Sequence, residues 1–155
     1  MFMKKNEFIK KVIDISIKNV KNGGGPFGAL IVKNDKIVSY GINAVTVKND
    51  PTAHAEINAI RKAAKKLKTF DLKDCIIFSS CEPCPMCFSA IYWANIKKVY
   101  YLATRKDAAK YGFKDEKIYK ELKNKIVSVK MEKVENKDKE LPFKLWNSQK
   151  NKIQY

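Results

Sequence analysis

One histidine, His54, and a run of three cysteines, Cys81, Cys84 and Cys87, constrain this chain more than any other feature. The three cysteines fall within seven residues, and no export signal opens the sequence. Such clustering reads as metal or redox chemistry before it reads as disulfides. Asp50-Pro51-Thr52, just before His54, is a helix-start signal. Pro83 and Pro85 flank the start of a second helix, which Cys84 and Cys87 open. A fold that uses these residues together must bring two helix N-termini to one point.

The remaining pattern says what can carry those helices. Residues 3–21 place apolar side chains from Phe8 to Val20 among lysines, as an amphipathic helix does. Gly23-Gly24-Gly25-Pro26 ends it. Phe27–Val32 and Ile37–Ile42 read as strands around an Asn34-Asp35 turn, a hairpin. Ile57, Ile60, Ala64 and Leu67 continue the first metal helix at helical spacing. Cys75–Phe78 and Val99–Leu102 read as further strands. Residues 116–122 read as a helix, Ile126–Val134 as an alternating strand, and Pro142–Lys150 as a closing helix. Strands alternating with helices, with helices at both ends, predict one domain over residues 1–155. Its expected architecture is a three-layer α/β/α sandwich around a central mixed sheet.

Zinc takes nitrogen and sulfur ligands in a tetrahedron, and a catalytic zinc keeps one corner for water. His54, Cys84 and Cys87 supply three ligands. Cys84 and Cys87 are three apart and share a helical face, at a helix end whose partial positive charge favours thiolates. His54 and Glu56, two apart, meet at one site only in the first turn of a helix. Zinc lowers the pKa of bound water from about 15.7 to about 7. A carboxylate at Glu56, not itself a ligand, can then move the water proton. Two other readings stay open at this point: a redox C-x-x-C pair, and a closed structural zinc with Cys81 as fourth ligand. Cys75 reads as a small core residue.

His54-Ala55-Glu56 followed by Pro83-Cys84-Pro85-Met86-Cys87 matches the H-x-E and P-C-x-x-C signature of zinc nucleobase deaminases. The chain thus resembles the cytidine deaminase-like superfamily, and within it the bacterial guanine deaminase branch. The resemblance extends through Gly25–Ala29, Asn49–Glu56, Ser80–Cys87, Ala90–Ala94, Ala108–Asp115 and the ending Pro142-Phe143, Trp146 and Tyr155. It implies hydrolysis of guanine to xanthine and ammonia. It also implies that Asn43 bonds the purine edge, that Phe27 and Trp93 wall the ring, and that the Ala55 amide touches the base. Asp115 would contact the exocyclic amine and assist proton transfer. Tyr155 would close the site, in a homodimer that swaps residues 140–155. Each has a plainer alternative: core packing for Phe27 and Trp93, a helix cap for Asp115, a frayed end for Tyr155. The metal motifs are shared with tRNA adenosine deaminases, so adenosine in tRNA, or guanosine or another aminated ring, remains open as a substrate. A zinc-binding protein without turnover also remains open.

The net charge of +16 favours a nucleic-acid partner on its face, but its make-up argues otherwise. Arginine, which pairs with phosphate and base edges, occurs only at 61 and 105, and the lysines are spread along the chain. A solvated lysine surface accounts for them. An apolar fraction of 45% fits a globular chain. No apolar run approaches the roughly 20 residues of a membrane span, and the expected location is the cytoplasm.

Overall fold

The computed structural model describes residues 2–125 and 128–153. Four strands, β1 (Gly28–Lys33), β2 (Lys36–Ile42), β3 (Ile76–Cys81) and β4 (Lys98–Ala103), form a sheet in the order β2-β1-β3-β4. β1 pairs antiparallel with both β2 and β3, and β3 pairs parallel with β4, so the sheet is mixed. Asn34 and Asp35 close the β1–β2 hairpin with φ of 50° and 57°. Such left-handed conformations suit Asn and Asp, and their twist matches that of the paired strands.

Alternation along β1 sorts the two cores. Leu30 and Val32 face α1 (Phe2–Lys21) and pack with Phe8, Val12, Ile15 and Phe78. Ala29 and Ile31 face the other way, into a cluster built from α3 (Ala55–Leu67), Ile77 and Ile91 of α4 (Pro85–Trp93). Successive strand side chains point to opposite faces, so one apolar strand serves two layers. The result is the three-layer sandwich expected from the sequence.

α3 lies close against β2 because both sides are small. Ala55, Ala59 and Ala63 are fully buried. At Gly41 of β2 an added Cβ would overlap the carbonyl oxygen of Ala55 and the amide of Ala59. This approach sets the height of the first turn of α3, and with it His54 and Glu56.

Short α2 (Val45–Lys48) and α5 (Arg105–Ala109) precede α3 and α6 (Asp115–Asn124), and α7 (Leu141–Ser148) closes the described chain. Two expectations are corrected. Asp50 does not cap α3. Its carboxylate accepts from the Thr52 amide at 2.8 Å and the Thr52 hydroxyl at 2.7 Å, an Asx-type turn, and the N-cap is His54. The same bond that caps a helix elsewhere closes a turn ahead of it here. The expected strand Ile126–Val134 begins outside the described residues. From 128 to 134 the chain is exposed and contains no strand, and the sheet order β2-β1-β3-β4 does not include it.

Candidate metal centre

Both metal motifs sit at helix caps. His54 is the N-cap of α3, with extended backbone (φ −68°, ψ 158°) and no side-chain cap bond. Cys84 is the N-cap of α4, also extended, and its sulfur accepts from the Cys87 amide at 3.5 Å. Pro85 holds the first position of α4, where a missing N–H costs nothing. Glu56 and Cys87 then follow in the first turns. The two N-termini meet, and the partial positive charge of each favours thiolate and carboxylate.

His54 Nδ1 lies 3.6 Å from Cys84 Sγ and 3.5 Å from Cys87 Sγ. The three ligand atoms all fall within 4.8 Å of one another. Zinc–sulfur and zinc–nitrogen bonds of about 2.3 and 2.05 Å in a tetrahedron require a sulfur–nitrogen edge of roughly 3.6 Å. The donor set therefore fits one zinc ion in both chemistry and spacing. The hydrogen bond from Cys87 and the nearby His54 pull the Cys84 thiol down to about 4, while the same bond and burial push Cys87 up. His54 is raised, chiefly by its bond to Cys84.

Cys81 stands apart. Its Sγ lies 3.8 Å from the carbonyl oxygen of Thr104. Burial, then the charges of Asp115 and Glu56, push its thiol up to about 11. Its sulfur is turned to that carbonyl, and among the described residues the three-ligand cluster does not include it. That disfavours the closed four-ligand site. Cys75 is core, 3% exposed.

Glu56 is buried beside the ligands. Ser79 Oγ donates to its Oε1 at 2.7 Å, and Cys87 Sγ donates to its Oε2 at 3.4 Å. Burial raises its pKa and the Ser79 bond opposes the rise. Such a carboxyl is poised to exchange a proton.

A cavity of about 480 Å³ opens onto His54, Glu56 and Cys84, and Phe27, Asn43, Ala55 and Asp115 line it too. Phe27 is both wall and core. Its ring meets Phe113 edge-on at 4.7 Å, and it also packs against the α3 cluster. Asn43 is fixed by its backbone: its amide donates to Phe27 O at 3.0 Å, and its carbonyl accepts from Asn19 Nδ2 at 2.8 Å. Asp115 is the first residue of α6 and not its cap, which is Lys114. Burial raises its pKa, with the Cys84 thiolate adding to the rise.

One expected wall residue is not brought here. Trp93 ends α4, at the opposite end from Cys84. It is 62% exposed, its ring stands 6.5 Å from Tyr92, and it is not on the cavity wall. Tyr155 lies outside the described residues. Phe113, Ser79 and Asn19 went unnoticed in the sequence as site residues. Ser79 carried a weak signal, a hydroxyl directly after the apolar run 76–78. Phe113 entered only within the Ala108–Asp115 resemblance, with no role given, because its partner Phe27 is remote in the chain.

Comparison with known proteins agrees with this geometry. Residues 3–103 match the cytidine and deoxycytidylate deaminase zinc-binding region. The chain belongs to that deaminase family, and His54, Cys84 and Cys87 are placed to bind its single metal ion. Guanine deaminase of Bacillus subtilis (strain 168) is 46% identical over 156 residues, covering 99% of this chain and 100% of its own. A crystal structure of guanine deaminase from Bacillus subtilis superposes with a TM-score of 0.92, covering 97% of this chain and 98% of that one. The tRNA-specific adenosine deaminase of Aquifex aeolicus is 38% identical over 104 residues, 67% of this chain and 69% of its own. Guanine deaminase from Nitrosomonas europaea aligns with a TM-score of 0.67 at 31% identity, covering 70% of this chain and 63% of that one.

Proposed function

We propose that the protein hydrolyses guanine to xanthine and ammonia, with one zinc ion held by His54, Cys84 and Cys87. The observation that carries the substrate is where similarity extends. The guanine deaminase match runs through 99% of the chain, including the segment that brings Phe113 and Asp115 to the cavity. The tRNA deaminase match covers only 67%.

Zinc bound there supplies Lewis acidity, which makes water acidic enough to serve as the nucleophile near neutral pH. The residues of the chain do the rest. Glu56, anchored by Ser79, takes one proton from the attacking water to the purine ring nitrogen and then carries the second, from the added hydroxyl, to the departing amine. Phe27 and Phe113 give the flat apolar wall a neutral purine needs. The Asn43 amide reads the polar edge of the base, and the Ala55 backbone amide meets it from the first turn of α3. Asp115 steadies the leaving amine.

A homodimer completes this reading, with residues 140–155 crossing to the partner and Tyr155 closing its cavity. Leu141, Phe143 and Leu145 of α7 are more than half exposed in one chain. Apolar side chains grouped in this way seek a partner surface. Trp93, exposed at the end of α4, is then a residue for that interface. Four free cysteines suit a reducing compartment, and we place the activity in the cytoplasm.

The test is ammonia release by zinc-loaded protein from guanine, guanosine, adenosine and an anticodon stem-loop. Turnover of guanine above the others supports the reading. Turnover of the stem-loop in its place, with salt-dependent binding, establishes the nucleic-acid alternative.

A further inference from the structure

Arg105 is one of two arginines among 32 basic residues, and it grips two elements at once. Its backbone amide and Nε donate to Glu82 Oε2 at 3.0 and 3.2 Å, and its Nη2 lies 2.9 Å from Glu82 Oε1. Its guanidinium stacks on the Tyr119 ring, 4.0 Å from the centroid. The Tyr119 hydroxyl donates to the Pro83 carbonyl at 2.8 Å. Glu82 and Pro83 lead directly into Cys84, so the contacts form a ring. It runs from the metal loop through Arg105 at the start of α5 to α6, and back to the metal loop.

Two features make this ring more than surface decoration. None of the residues of α6 is buried, and Ile118 and Leu122 are 45% and 55% exposed. The helix therefore lacks a deep apolar anchor. Tyr119 also lies four residues after Asp115, one turn along the same helical face. Whatever fixes Tyr119 against Pro83 fixes where Asp115 stands at the cavity. Lysine could not replace Arg105, since only a planar fork can pair bidentately with a carboxylate while lying flat on an aromatic ring. That accounts for arginine here in a chain that otherwise uses lysine.

We propose that Arg105 and Tyr119 are positioning residues that dock α6 on the metal loop and so hold Asp115 in register with the reacting amine. The inference deepens the proposed function and rests on the role given there to Asp115. Removing one hydrogen bond of this kind costs about 3- to 10-fold in the docking equilibrium constant.

The experiment compares zinc-loaded wild type with Tyr119→Phe and Arg105→Lys, each alone and combined with Asp115→Asn. Arg61→Lys, at an exposed pair with Asp50, serves as control. Zinc content, kcat and KM for guanine, and amide hydrogen exchange across residues 116–124 are measured. Both variants should keep full zinc. Their α6 exchange should quicken by about 3- to 10-fold, and kcat should fall, by at most a similar factor, with KM within about twofold. In the Asp115→Asn background neither should lower kcat further. Unchanged α6 exchange, loss of zinc, or an equal drop in the Asp115→Asn background each overturns the proposal. If the wild type does not turn over guanine, the proposed substrate fails, and the exchange data alone then decide whether the ring docks α6.

Discussion

Ser79 holds Glu56: the serine hydroxyl donates to carboxylate Oε1 at 2.7 Å, and both residues are buried. Ser79 lies two residues after Ile77 on β3, on the sheet face that packs against α3. The strand thus aims a hydroxyl at the first turn of the metal helix. A hydrogen bond to a charged group contributes more than a neutral one. Ser79→Ala should lower kcat by about 10- to 100-fold with zinc retained. Steady-state kinetics paired with metal analysis reads both, and an unaltered kcat would remove Ser79 from the account.

Cys84 and Cys81 should part company on metal binding. Cys84→Ala should abolish stoichiometric zinc, and Cys81→Ala should leave it intact, since Cys81 faces Thr104 O and stands outside the ligand cluster. Elemental analysis of the purified variants distinguishes them. Zinc lost from both would restore the four-ligand site.

Gly25 backs the Asn43 side chain. A Cβ there would come within 2.8 Å of Asn43 Oδ1, tighter than side chains tolerate without shifting. Gly25→Ala should displace the amide that reads the base edge. KM for guanine should then rise several-fold, while kcat at saturation changes less. Equal KM for the two proteins would show that Asn43 does not read the base.

Gly41→Ala tests the seat of α3. The added methyl meets helix backbone, which cannot rotate away. Overpacking of this kind costs about 1–3 kcal/mol, or roughly 2–12 °C in a chain of this size. Thermal unfolding followed by circular dichroism measures it, and an unshifted midpoint would mean that the helix rides freely over the strand.

The metal site was legible in the sequence because its chemistry leaves few choices. One histidine, a C-x-x-C and a carboxylate two residues from the histidine fit together only at helix starts, and His54 and Cys84 prove to be caps. The sandwich was legible because β1 is apolar at every position from Ala29 to Val32, as a strand covered on both faces must be. What escaped depended on packing between distant segments. Phe113 finds Phe27 only once α6 is in place, and Arg105 reads as one more cation until Tyr119 lies beneath it. Asp50 misled because the same short side chain that caps helices also closes turns. The alternation in 128–134 misled because a strand needs a neighbour as well as a pattern.

The central claim is that a metal-assisted deamination of guanine runs through Glu56. Xanthine and ammonia formed from guanine should be measured for zinc-loaded wild type and Glu56→Gln side by side, with zinc content determined on the same samples. Equal zinc in both, turnover by the wild type, and a loss of about 10²- to 10⁴-fold in kcat for the variant are predicted. Guanine left unconsumed by fully zinc-loaded wild type, or consumed equally fast by Glu56→Gln, would contradict it.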